Sequence, residues 1–149
     1  MKSYRTVPDT NVVISSEKSS NPNSPTVEYF RRLRGHQFEM LYSEDTLLEY
    51  ILKLKELGIP DDRIQVLIEL VLLFGVHVPI QTYHLSIYPP DEKGICFLLC
   101  AVNGDADYLI SYDRDFLDIA DAIERLTGVR VCTVLDFLKV LRREIGDRK

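Results

Sequence analysis

Cysteine is scarce in this chain, and what there is has the wrong spacing for chemistry. Its three residues, Cys96, Cys100 and Cys132, form no CxxC pair and no Cys/His combination. This excludes a redox dithiol, and an odd count without an export signal predicts reduced thiols acting as small apolar core residues. Histidine is as sparse, and His36, His77 and His84 are too scattered to build a zinc site. No apolar run is long enough to cross a bilayer: the longest, IQVLIELVLLFGVHVPI, is interrupted by Glu69, Gly75 and Pro79. The opening MKSYRTVPD has no apolar core of signal-peptide length, so the expected location is the cytoplasm, with no membrane partner. An excess of positive charge is missing too. A net charge of −5 does not give the general field by which a protein holds nucleic acid through charge alone. Such binding would have to be local, and the basic clusters Arg31, Arg32 and Arg34 in RRLR and the tail LRREIGDRK also fit ordinary solvated helix faces.

What is present is an ordinary globular composition, 46% hydrophobic and 28% charged over 149 residues. A chain of this size buries roughly two thirds of its unfolded surface, enough for one unstapled domain, expected to span residues 1–149. YRTVPDTNVV reads as a first strand and SSEKSSNPNSP as a polar loop. TVEYFRRLRG has helical spacing at Val27, Phe30 and Leu33, closed by Gly35. FEMLYS reads as a second strand, with Ser43 as N-cap of EDTLLEYILKLKELG and Leu47, Ile51 and Leu54 on its apolar face. Pro60 opens a further helix, DDRIQVLIELVLLFG, with acids in its first turn. VHVPI, DYLIS and VRVCT read as strands, with helices DEKGICFLLCAVNG and RDFLDIADAIERLTG around the middle one. A last helix follows Thr133, with Asp136 placed as in a capping box. Strands that alternate with helices predict an α/β three-layer sandwich with a central, mostly parallel sheet.

In such a sheet ligands sit beyond the carboxyl ends of the strands, so an acid just after a strand counts for more than one on a helix face. Asp9 ends TVPD and Asp113 follows YLISY. If their strands are neighbours, both carboxylates open onto one crevice, where they repel unless one takes a proton or a cation sits between them. Oxygen donors without His or Cys favour a hard ion, Mg²⁺ or Mn²⁺. Asn11 offers a neutral polar group to the same space, and Ser111 a hydroxyl for a carboxylate or a phosphate. Glu49 taken alone is a surface acid that would pair with Lys53 four residues on. A phosphoaspartyl enzyme of the haloacid-dehalogenase type needs a second Asp where this chain has Asn11, and a receiver domain needs a late Lys that VRVCT lacks.

Three stretches together carry a family resemblance. DTNVV, SEDTLLEY and CAVNGDADYLISYDRDFL, in that order, resemble the acidic motifs of PIN domains, a Rossmann-like fold of small metal-dependent nucleases that includes the toxins of toxin–antitoxin pairs. The resemblance implies that Asp9, Glu49 and Asp113 ligate the metal, with Asn11, Ser111 and Asp115 in support. It implies an Mg²⁺- or Mn²⁺-dependent endoribonuclease acting on RNA, with an antitoxin protein and a homodimer as partners. The chain departs from the pattern at one point. The helix before ADYLIS usually carries an acid in its first turn, and alignment back from Asp107 puts Gly94 there. Asp91 or Glu92 would have to stand in for it; otherwise the domain is a catalytically weakened module that binds RNA or protein.

Overall fold

The computed structural model describes residues 3–145. Five short strands, β1 (Arg5–Pro8), β2 (Glu39–Tyr42), β3 (Gly75–His77), β4 (Tyr108–Ile110) and β5 (Arg130–Cys132), form a parallel sheet in the order β3-β2-β1-β4-β5. The chain builds outward from β1 to β3, then returns to lay β4 on the other side of β1. That reversal places the switch point, where doubly wound sheets open their crevice, between β1 and β4. The α/β layered architecture stands as expected, and every pairing in the sheet is parallel.

The first strand is shorter than its sequence suggests. It stops at Pro8, and Thr10–Lys18 form a helix, α1. Asp9 accepts a hydrogen bond from the Thr10 amide, and short polar side chains that bond their own backbone end strands and start helices. Val12 and Val13, read as strand residues, are fully buried on α1, and the polar loop shrinks to residues 19–24. Helix α2 (Pro25–Arg34) follows, capped by Ser24. Helix α3 (Glu44–Glu56) begins with a reciprocal capping box, in which Thr46 N–H donates to Ser43 Oγ (3.2 Å) and Ser43 N–H to Thr46 Oγ1 (2.9 Å). Its buried face is Thr46, Tyr50 and Leu54, with Leu47 and Ile51 only half-buried, so the expected apolar stripe is rotated by about one position. Helix α4 (Asp61–Phe74) starts directly after Pro60. Helix α5 (Ile95–Asn103) is preceded by a separate 3₁₀ turn, Glu92–Gly94. The single helix expected after Asp113 is two, α6 (Arg114–Leu117) and α7 (Ala120–Thr127). Helix α8 (Val134–Ile145) closes the chain, with Asp136 N–H donating to Thr133 Oγ1; the last four residues of the basic tail lie outside the described residues.

Side-chain alternation along the strands separates the two faces of the sheet. Thr6 and Tyr108, partners in register, both point toward α2 and α8. There Thr6 Oγ1 bonds Tyr29 Oη (2.8 Å), and the rings of Tyr29, Phe38, Tyr108 and Phe137 meet at 4.8–6.1 Å. Such ring pairs add about 0.5 to 1.5 kcal/mol each beyond area burial. On the opposite face α5 lies across β1, β2 and β4, and α4 covers β2 and β3. Helices α2 and α8 are also joined by a charged cluster: Glu28 accepts from Arg32 Nε (2.8 Å) and from Arg142 Nη2 and Nε (2.5 and 3.2 Å).

A proline in the central strand is unusual, because it cannot donate to the ladder. Here the pairing of β1 with β2 runs only over Arg5↔Glu39 and Thr6↔Met40, so Pro8 lies past its end. The Pro8 carbonyl, on that same side, accepts instead from Tyr50 Oη of α3 (2.5 Å).

Candidate active site

Because Pro8 pairs in register with Ile110, the residues that follow β1 and β4 emerge side by side. Asp9 sits at the first exit and is only 7% exposed. One oxygen accepts from Thr10 N–H (2.7 Å); the other accepts from Ser111 Oγ (2.7 Å) and from Asn11 Nδ2 (3.5 Å). Ser111 is fully buried, and its oxygen also accepts from the Asp113 amide (2.9 Å), so one hydroxyl bridges the two exits. Asn11 completes the tie by accepting from Tyr112 N–H (3.2 Å). Asp113 is the N-cap of α6 and accepts from Asp115 N–H (2.9 Å).

These groups open into a cavity of about 550 Å³ whose charged lining is Asp9, Glu49, Glu56, Asp91, Asp113 and Asp115 with Lys53 and Lys93, and which Asn11 also lines. Glu49 reaches it from α3, and the helical ion pair that Lys53 makes is with Glu56 (3.5 Å), not with Glu49. Asp91 lines the cavity while also accepting from Lys93 N–H (3.0 Å), so it caps the 3₁₀ turn and faces the cleft at once. Glu92 is not among the lining residues. Position 94 has no room for a side chain: a Cβ there would lie 2.9 Å from the Phe116 ring and 3.3 Å from Pro89 Cγ. Phe116 is only 2% exposed and cannot swing aside freely.

Burial raises the Asp9 carboxyl above its ordinary value, the hydrogen bonds from Ser111 and Thr10 oppose this, and the charges of Asp113 and Asp91 push it further up. A buried carboxylate facing like charges is the situation a hard cation relieves, and the donors are all oxygens. By donor chemistry the residues fit Mg²⁺ or Mn²⁺. Among the described residues no three acids, histidines or cysteines already converge as a ligand cluster, so the cleft is electrostatically prepared but open. The cysteines take no part: burial pushes the Cys96 and Cys100 thiols up to about 12, which leaves them protonated and inert.

A parallel sheet with this strand order and an acidic cleft at the switch point makes this a doubly wound, Rossmann-like α/β protein with its candidate site where such sheets bind ligands. The PIN domain family profile matches residues 5–115, and the chain belongs to that family, whose members are typically nucleases. The matched span contains every acid that lines the cleft. Among solved structures, the crystal structure of FitAcB from Neisseria gonorrhoeae superposes with a TM-score of 0.50 at 18% identity, over 87% of this chain and 98% of that one. At that identity the likeness concerns the fold. No curated protein matches the chain.

Two features of the site were not visible in sequence. The one trace of Tyr50 in sequence is that of a polar-headed aromatic in register with Thr46 and Leu54. The Phe116 ring under position 94 has no sequence signal at all.

Proposed function

We propose that this chain is a divalent-metal-dependent endoribonuclease that hydrolyses RNA phosphodiester bonds, and that it is the toxin of a toxin–antitoxin pair. Asp9, Glu49 and Asp113 hold the ion, Asp91 serves in place of the acid missing at Gly94, and Asn11, Ser111 and Asp115 orient them. The observation that carries this reading is the buried Asp9 at the β1–β4 exit, held by Ser111 and facing further acids in a PIN domain. When bound, Mg²⁺ or Mn²⁺ supplies Lewis acidity toward water and phosphate oxygen and offsets the charge that gathers on the phosphate. The protein's own part is to fix the acids: Ser111 and the Thr10 amide aim Asp9 and favour its charged form against burial, and Lys93 on the cleft wall adds positive charge for the RNA backbone. Hydrolysis forms a bond from water oxygen to phosphorus and breaks the ester bond, so no protein nucleophile is needed.

The test is cleavage of mixed structured and single-stranded RNA with Mg²⁺, Mn²⁺ or EDTA, comparing the unsubstituted protein with Asp9→Asn. Metal-dependent cleavage lost in the variant supports the reading. A second reading is favoured by the closed position 94: a weakened PIN domain that binds RNA or protein without turnover. It predicts no cleavage at millimolar Mn²⁺, and clear turnover would end it. The exposed Leu48 and Leu52 on α3 and Val66, Leu72 and Leu73 on α4 support an apolar interface for an antitoxin or a second copy. Co-purification of a small protein from the native source would support the antitoxin, and harmless expression alone would count against the toxin role. We also read residues 1–149 as one domain acting in the cytoplasm.

A further inference from the structure

We propose that Tyr50 is a positioning residue that fixes the spacing of the two acids Asp9 and Glu49, an inference that rests on the reading of their cleft as a metal site. Tyr50 follows Glu49 in α3, and Pro8 precedes Asp9 in β1. The bond from Tyr50 Oη to the Pro8 carbonyl therefore joins the immediate chain neighbours of two acids forty residues apart.

The geometry gives this bond a task that packing alone does not perform. Helix α3 lies against α1, α4 and α5. Apolar contacts between helices resist separation but tolerate small slides and rotations, whereas a hydrogen bond is directional and sets register. On the far side of the same peptide, Asp9 N–H donates to the Ile110 carbonyl (2.8 Å). The backbone of Asp9 is thus pinned between β4 and α3, and Glu49 is tied to the frame that carries Asp9. Because Pro8 lies beyond the end of the β1–β2 ladder, its buried carbonyl has no strand partner on that side, and Tyr50 supplies the donor. Tyr50 is fully buried, with its ring 5.7 Å from that of Phe97, so the hydroxyl is held in place by the core.

Tyr50→Phe removes the hydroxyl and keeps the ring. Tyr29→Phe is the matched control: Tyr29 is also fully buried with its hydroxyl bonded, to Thr6 on the opposite face of the sheet. Mn²⁺ binding to the full chain would be titrated by electron paramagnetic resonance, with thermal unfolding measured alongside. The expected result is Mn²⁺ affinity lowered about tenfold in Tyr50→Phe, unchanged in Tyr29→Phe and lost in Asp9→Asn. If Asp9→Asn loses Mn²⁺ while Tyr50→Phe binds like the unsubstituted protein, the role of Tyr50 is overturned and the metal site stands. Equal losses in both tyrosine variants also overturn it, because general softening then explains the effect. Unchanged binding in Asp9→Asn would remove the metal site itself. Should Tyr50→Phe fail to fold, the hydroxyl proton of Tyr50 can be followed by NMR in the unsubstituted protein during Mg²⁺ titration. A shift in step with the Asp9 amide is expected, and a resonance indifferent to saturating Mg²⁺ would overturn the proposal.

Discussion

Asp9 and Glu28 are hidden from solvent to the same extent, each 7% exposed, yet their surroundings treat the charge in opposite ways. For Glu28 burial works against ionisation, but the hydrogen bonds and charges of Arg142 and Arg32 outweigh it and hold the carboxyl below its ordinary value. For Asp9 burial raises the carboxyl, the bonds from Ser111 and Thr10 only partly offset it, and the charged neighbours, Asp113 and Asp91, have the same sign. The α2–α8 cluster is complete within the protein. At the β1–β4 exit the like charges are relieved only by a proton or a cation. Burial among like charges, rather than burial alone, makes a carboxylate a candidate functional group.

The comparison can be broken most directly by removing each charge. Asp9→Asn should lower metal-dependent cleavage by about 100-fold or more, exceeding the 10- to 100-fold typical of outer-shell partners, while the metal-free protein becomes more stable at neutral pH; RNA assays and thermal unfolding in EDTA check both. Glu28→Gln should do the reverse. Arg32 and Arg142 lose the carboxylate they share, and stability should fall by about 2 to 3 kcal/mol, below the full penalty for a broken buried pair because Arg32 keeps Gln37 and Arg142 is one third exposed. Cleavage per folded molecule should not change, and urea titration with activity normalised to folded protein checks this.

A smaller effect sharpens the contrast. Ser111→Ala leaves Asp9 in place but removes its bridge to the Asp113 amide, and should weaken Mn²⁺ binding about tenfold, measured by calorimetry. The pH dependences should run in opposite senses. Glu28, with its lowered folded value, contributes stability that is present above the unfolded carboxylate value and lost as pH falls through the folded one. Asp9, with its raised folded value, contributes stability that is present below the unfolded value and lost as pH rises through the folded one. The stability advantage of Asp9→Asn over the unsubstituted protein in EDTA should therefore shrink as pH is lowered, and saturating Mn²⁺ at neutral pH should erase it. The least effect belongs to the exposed Arg114–Asp118 pair, where Asp118→Asn should change stability by less than about 0.5 kcal/mol.

Much of this was legible in the chain because it depends on local chemistry. The five strands and the Ser43 cap follow from apolar period and capping residues, and the parallel sheet from the alternation of strands with helices. Asp9 and Asp113 were visible because an acid directly after an apolar strand stands out whatever the tertiary context. The errors have equally local causes. Val12 and Val13 look like strand residues, but Asp9 caps a helix beneath them, and a β-branched pair does not prevent a helix whose face is buried. The stretch after Asp113 splits at Ile119, where the ladder tightens to an i→i−3 bond to the Phe116 carbonyl and the backbone leaves helical geometry (φ −112°, ψ 18°), which periodicity does not reveal. What sequence could not give is contact between distant segments: the Ser111 bridge, the Tyr50–Pro8 bond, and which of Asp91 and Glu92 faces the cleft.

The ring of Phe116 under Gly94 also constrains how this site can change over time. Adding an acid at position 94 looks like a single step, Gly94→Asp, but its Cβ would lie 2.9 Å from the ring of Phe116, a core residue one helical turn from Asp113. The new carboxylate could be accommodated only if the Phe116 ring gave way, a shift that would disturb the floor of the cleft. In this chain the choice of acids at the mouth of the sheet is therefore coupled to the packing beneath it.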